Sequence, residues 1–186
     1  MALPAPPQAQ TITLAGGCFW CLDAVYRRVR GVQSVECGYS NGHAIDPTYA
    51  EVCTGRTGHA EAVRVRYAPQ IVALEDLLDI FFTIHDPTSR DRQGNDVGPQ
   101  YRSAIYTHGA EQLAAVHAYI DALPSRKMFD APIVTIVEPE NNYFRAEAEH
   151  QRYFERHPDQ GYCTFVVAPK VDKLRSHFAD LFEDAG

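Results

Sequence analysis

Two periodicities alternate along this chain, and their order limits the folds open to it. Apolar residues recur with helical spacing at Leu22, Val25, Tyr26 and Val29, and again at Leu74, Leu77, Leu78, Phe81 and Phe82. The same spacing returns at Leu113, Val116, Ile120 and Leu123, then at Val171, Leu174, Phe178, Leu181 and Phe182. Strand-like runs lie between them: Ile12 with Leu14, Val32 to Tyr39, Ala62 to Tyr67, Ser103 to Tyr106, and Ile133 to Val137. The last run is apolar on both faces, which predicts a central strand. A further helix is expected over Arg145 to Arg156, ended by His157-Pro158.

The order β-α-β-β-α-β-α-β predicts an α/β (α+β) fold of the ferredoxin-like, split βαβ kind, a two-layer sandwich with added C-terminal helices. Two long stretches interrupt it, Ser40 to Gly58 and Asp86 to Gln100, both rich in Gly, Asp, Asn, Pro and Thr. Loops of that length in a compact domain are more often functional than idle. At 186 residues the chain is expected to form one domain over 1–186, with residues 1–9 a flexible arm.

Charge and composition narrow the function classes. Seventeen basic against 24 acidic residues leave a net charge of −7, which gives nucleic-acid binding no electrostatic support. No apolar run approaches the roughly 20 residues of a membrane span. The first ten residues hold no Lys or Arg and no apolar core, so they read as neither signal nor transit peptide. The expectation is a cytoplasmic protein whose five cysteines are mostly reduced.

Chemistry concentrates at Gly16-Gly17-Cys18-Phe19-Trp20-Cys21, between a strand-like and a helix-like run. Backbone N–H groups and the dipole at a helix start favour a thiolate, so Cys18 is expected to be a nucleophile with a depressed pKa. Phe19 and Trp20, the only Trp, offer it an apolar pocket. In Gly58 to Tyr67, strand alternation puts Glu61 on the same face as Val63, Val65 and Tyr67. An inward carboxyl is desolvated and held protonated as a proton donor; the other reading is a strand-end Glu paired with Arg64 or Arg66. Asp96, Tyr101 and Arg102 supply polar groups after a Gly-rich turn, and Tyr49 either donates into a pocket or covers the core. Cys18-x-x-Cys21 is a redox or metal pattern, but no second C-x-x-C or His pair at zinc spacing accompanies it, so no metal or organic cofactor is implied. Cys163 follows Gly161 in a turn, Cys37 and Cys53 read as half-buried small hydrophobes, and His150 is the one histidine singled out.

These residues resemble the MsrA-type peptide methionine sulfoxide reductases. The likeness is carried by Gly17 to Trp20, Pro47-Thr48-Tyr49, Val52 to Glu61, His85 to Thr88, Arg92 to Gly98 and Gln100 to Ser103, and runs from about Thr11 to Phe178. It implies reduction of the S epimer of methionine sulfoxide, with Cys18 as nucleophile and Glu61 as proton donor. It further implies that Tyr49 and Tyr101 hydrogen-bond the sulfoxide oxygen, that Asp96 helps polarise the site, and that Phe19 and Trp20 hold the substrate methyl. A Cys18 sulfenic acid would then condense with a second thiol, and thioredoxin would reduce the disulfide. The likeness leaves the resolving thiol open between Cys21 and Cys163, and implies a monomer. Two other classes compete: a C-x-x-C thiol–disulfide oxidoreductase, and a non-enzymatic module using the Phe19–Trp20 pocket.

Overall fold

The computed structural model describes residues 8–184; of the expected flexible arm, residues 1–7 lie outside the described residues. The chain begins with β1 (Gln10–Gly16), α1 (Phe19–Tyr26), β2 (Val32–Ser40), a short α2 (Tyr49–Cys53), β3 (Ala60–Tyr67) and α3 (Leu74–Ile84). A two-residue hairpin follows, β4 (Arg92–Gln93) and β5 (Asp96–Val97), then β6 (Ser103–Thr107) and α4 (Ala110–Ala122). The C-terminal third holds β7 (Ile136–Pro139), β8 (Tyr143–Arg145), α5 (Tyr153–Arg156), a π-helical turn at Cys163–Val167 and α6 (Ala168–His177).

Six strands form one sheet in the order β7-β6-β1-β3-β2-β8. Its centre is the ferredoxin-like arrangement: β3 lies between β1 and β2 and runs antiparallel to both, and β6 flanks β1 antiparallel. Strand alternation sorts the two faces. Ile12, Leu14, Val35, Val63, Val65 and Ile105 point into the main core with Leu22, Val25, Phe81, Phe82, Val116 and Leu174 of the helices. Two polar ties fasten that layer. Tyr26 donates to the Leu77 carbonyl (2.7 Å), joining α1 to α3, and the buried Asp23 pairs with Arg27 (2.8 Å) beneath α1. The opposite face is built from Ala15, Ala60, Ala62, Ala104 and Tyr106. Small residues there let the chain around Glu140 to Tyr143 lie close, where Glu140 accepts from Thr13 (2.5 Å) and pairs with Arg64, and Arg64 covers the Tyr143 ring at 3.9 Å.

Three sequence expectations change. The apolar run Ile133 to Val137 is not a central strand. Only its last two residues enter the sheet, in β7, which pairs with β6 alone, and Ile136 is 42% exposed. Val134 instead donates to the Pro87 carbonyl (2.8 Å), fastening the second long loop. The helix expected over Arg145 to Arg156 is broken into the end of β8, a 3-10 turn at Ala148–His150 and α5, because Arg152 takes a left-handed conformation (φ 55°). The first long loop also hides α2, whose start was legible: Thr48 and Glu51 form a reciprocal capping box.

Gly38 shows how tightly β8 closes the sheet edge. A Cβ built there would stand 2.3 Å from the Tyr143 ring and 2.7 Å from the Phe144 carbonyl oxygen. Gly38→Ala is expected to lower the unfolding free energy by about 1–3 kcal/mol, the usual cost of overpacking; denaturant unfolding of the two proteins checks this, and equal midpoints would contradict it.

Candidate active site

The turn between β1 and α1 sets the site. Gly17 adopts φ +91°, and a Cβ there would lie 2.6 Å from Cγ of Gln93, so only glycine permits this close approach. Gln93 holds the second long loop in return, accepting from the Asp86 N–H (3.0 Å) while its amide donates to the Asp86 carbonyl. Cys18 is the N-cap of α1 and is 8% exposed. Beside it, Glu61 of β3 is buried on the helix-covered face and accepts the Phe19 backbone N–H through Oε2 (3.1 Å). Arg64 is engaged with Glu140 on the other face, so the strand-end ion pair between Glu61 and Arg64 does not form.

The electrostatics of these two groups differ from the sequence expectation in one respect. Burial pushes the Glu61 carboxyl up to about 8; Asp96 adds to this and the Phe19 N–H opposes it. Glu61 is therefore mostly protonated at neutral pH. Cys18, however, is not a ready thiolate. Burial raises its thiol well above the ordinary range, and Glu61 and Cys21 push it further. The Trp20 backbone N–H and the Tyr162 hydroxyl favour the anion but do not outweigh burial. A helix start alone cannot compensate for removing a sulfur anion from water.

The other expected residues gather around this pair. Burial, then Glu61, raises Tyr49 and Tyr101, so both phenols stay protonated donors. The backbone of Tyr49 is fixed by Glu147, which accepts its N–H (2.8 Å) and the Tyr39 hydroxyl (2.7 Å). Cys53 is exposed rather than half-buried, while Cys37 has no exposed surface. Asp96, carried on the β4–β5 hairpin, accepts from the Tyr162 hydroxyl (2.6 Å). Cys21 lies in the first turn of α1 and donates its N–H to the Cys18 carbonyl (3.1 Å). Cys163 opens the π-helical turn, is buried, and is close enough to Cys21 to feel its charge.

An aromatic cup completes the site, and two of its six rings were missed in the sequence. Phe19 is its buried floor, 6.3 Å from the Tyr49 ring and nearly parallel to it. Trp20 stacks on Tyr153 (3.7 Å, 5°) and meets Tyr162 edge-on (5.9 Å, 79°). His150 sits 4.2 Å from Tyr49 and 5.9 Å from Trp20, with neither ring nitrogen hydrogen-bonded. Burial lowers its pKa, so the imidazole packs as a neutral ring. His150 was singled out by sequence, but Tyr153 and Tyr162 carried no signal beyond their nearness to Cys163.

Such a site can protonate an oxygen held against a sulfur nucleophile, beside an apolar wall fit for a methyl group. The comparisons with known proteins agree with that chemistry. The family model described as "Peptide methionine sulfoxide reductase" matches residues 10–181. The chain is 53% identical over 174 residues to the peptide methionine sulfoxide reductase MsrA of Ralstonia nicotianae, covering 91% of each. Among solved structures it is similar to reduced Mxr1 of Saccharomyces cerevisiae, with TM-score 0.76 and 34% identity over 88% of this chain and 92% of that one. Mxr1 in complex with Trx2 matches with TM-score 0.53 and 28% identity, over 82% of this chain and 88% of that one. The chain belongs to the MsrA family of peptide methionine sulfoxide reductases.

Proposed function

We propose that this protein reduces the S epimer of methionine sulfoxide, free or in proteins, to methionine, and that Cys18 and Glu61 do the chemistry. The observation that carries this reading is the protonated Glu61 carboxyl buried beside the Cys18 thiol. Phe19 and Trp20 would take the substrate methyl, and Tyr49 and Tyr101 would hold the sulfoxide oxygen.

The neutral resting pair suits an oxide acceptor. As Glu61 gives its proton to the sulfoxide oxygen, positive charge grows on the substrate sulfur next to Cys18. That charge offsets the desolvation that keeps the thiol protonated, so attack and proton delivery help each other. The Cys18 sulfur bonds to the substrate sulfur and the thiol proton returns to Glu61; the oxygen, with the proton it received, then passes to Cys18 as both the substrate S–O bond and the new S–S bond break, which releases the thioether. The balance is Cys18–SH plus sulfoxide giving Cys18–SOH plus thioether: the substrate sulfur gains two electrons and the cysteine sulfur loses them. A second thiol, Cys21 or Cys163, then displaces the hydroxyl as water to form a disulfide. A thioredoxin-type dithiol is the proposed reductant, a reading supported by the related Mxr1 in complex with Trx2. No helix among the described residues is long and apolar enough to cross a membrane, and we place the protein in the cytoplasm as a monomer of one domain.

The test is a single turnover without reductant on each separated epimer of a methionine sulfoxide peptide. Methionine should form from the S epimer alone, at least one equivalent per Cys18; methionine from neither would contradict the reading. Glu61→Gln should slow methionine formation on the order of 10²-fold or more, the scale of lost general acid catalysis. The unsubstituted enzyme should lose activity as pH rises through about 8, where Glu61 gives up its proton. A pH profile of first-turnover rates checks both, and a flat profile up to pH 9 would remove Glu61 from the acid role.

The same burial has a cost in stability. An unfolded Glu ionises near 4.5, whereas the folded one holds its proton to about 8. Between those values the folded state binds more protons, so stability falls as pH rises. Glu61→Gln, which can still accept the Phe19 N–H, is therefore expected to stabilise the fold at pH 7 by about 1–3 kcal/mol. The gain should vanish below about pH 4.5; unfolding curves at pH 4 and pH 7 measure it.

A further inference from the structure

The stretch His85 to Thr88 takes no part in the chemistry described above, yet His85 is 6% exposed and touches the catalytic turn. That turn, Gly16 and Gly17 before Cys18, has no side chains with which to hold its own place. Two side chains from the second long loop grip it instead. The His85 ring lies against Gly16: a Cβ built there would stand 3.2 Å from its Cγ and Cδ2, and 3.0 Å from Cε2 of Phe81. Gln93 lies against Gly17 in the same way, and Gln93 is held by the backbone N–H and carbonyl of Asp86. Both grips are therefore anchored at consecutive residues, His85 and Asp86. Packing alone does not require an imidazole here. Nδ1 lies 2.5 Å from the Phe81 carbonyl, one of the last four of α3, which have no partner within the helix. Nε2 lies 2.8 Å from the Ser103 hydroxyl. A carbonyl can only accept, so Nδ1 carries the proton and Nε2 accepts from Ser103. Burial pushes His85 down to about 4 and keeps this neutral form at pH 7. Ser103 accepts in turn from the Thr135 hydroxyl (2.8 Å), and it stands directly across from Gly16 in the β1–β6 ladder. The ring is thus tied at both nitrogens, to α3 and to the strand beside Gly16.

We propose that His85, together with Gln93, is a positioning residue for the nucleophile: the two side chains clamp the Gly16–Gly17 turn and so fix the Cys18 sulfur relative to the Glu61 carboxyl and the bound sulfoxide. The proposal rests on the reductase reading above. Glu61 is carried by β3 in the middle of the sheet, whereas Cys18 sits on a turn, so the distance between acid and nucleophile depends on what holds that turn. The Phe19 N–H bond to Glu61 (3.1 Å) pins the chain just after Cys18. The clamp pins it just before. His85 itself exchanges no proton with the substrate and acts only through Gly16. Its hydrogen bonds make the ring rigid enough for that task, and the bond from the Val134 N–H to the Pro87 carbonyl (2.8 Å) fastens the same stretch from behind. A nucleophile displaced by about 1 Å can lose on the order of 10²-fold in rate without any loss of binding.

The experiment mixes reduced enzyme with the S-sulfoxide peptide, without reductant, and follows methionine in the first turnover across a range of peptide concentrations. It compares the unsubstituted protein with His85→Leu, His85→Gln, Ser103→Ala, Gln93→Met and the double variant His85→Leu/Gln93→Met, with circular dichroism as the check on folding. His85→Leu should lower the limiting rate on the order of 10²-fold. The half-saturating concentration should stay where it is, because Phe19 and Trp20 are held by the core and by Tyr153. His85→Gln keeps an amide donor for Phe81 and an acceptor for Ser103, and should recover most of the loss. Ser103→Ala leaves the ring in place but removes one of its two bonds, and should cost about tenfold. Since both side chains hold one turn, the double variant should be no slower than His85→Leu. An unchanged limiting rate in His85→Leu, a loss seen only in half-saturation, a glutamine variant as slow as the leucine one, or losses that multiply in the double variant would each overturn the proposal. Should His85→Leu fail to fold, Ser103→Ala decides, and an unchanged limiting rate there overturns it. No methionine from the unsubstituted protein would overturn the reductase reading and the proposal with it.

Discussion

The hydrogen bond from the Phe19 N–H to the Glu61 carboxyl joins the central strand β3 to the first residue of α1. It does three things at once. It fixes the helix start over the sheet, and so the place where Cys18 must project. It gives a buried carboxyl one partner, enough to be tolerated but too few to ionise it at neutral pH. It also puts proton donor and nucleophile on neighbouring elements whose relative position the core enforces, instead of on mobile loops.

Around that contact, the loops supply what the core cannot. The β4–β5 hairpin brings Asp96, α2 brings Tyr49, and the irregular C-terminal segment brings His150, Tyr153 and Tyr162. Each is held by specific polar or stacking contacts: Gln93 packs against Gly17, Glu147 accepts from Tyr49, and Trp20 stacks on Tyr153. The site is thus a buried acid–thiol pair fixed by the sheet, with an aromatic and polar rim attached from three distant stretches of chain.

The sequence carried the architecture because the central strands and helices are amphipathic with clean periods; Glu61, Val63, Val65 and Tyr67 show the alternation that aims the carboxyl inward. The C-terminal third was not legible in that way. Residues 143–156 form short pieces separated by a left-handed Arg152, with too few turns for any period to show, and the apolar Ile133 to Val137 reads as a central strand although its neighbours on one side are loops. The ionisation of Cys18 was misread for a different reason. A helix start is visible in sequence, but the depth of burial that overrides it is a property of the assembled fold.

The claim on which the account depends is that Glu61 and Cys18 are both protonated at rest near pH 7. Infrared difference spectra of the reduced protein against Glu61→Gln, recorded from pH 4 to 9, test it most directly. A protonated-carboxyl C=O band, absent from the variant, should persist through pH 7 and disappear around pH 8, with the Cys18 S–H stretch still present at pH 7. A carboxyl band already lost by pH 5, or a Cys18 thiolate at pH 7, would contradict it.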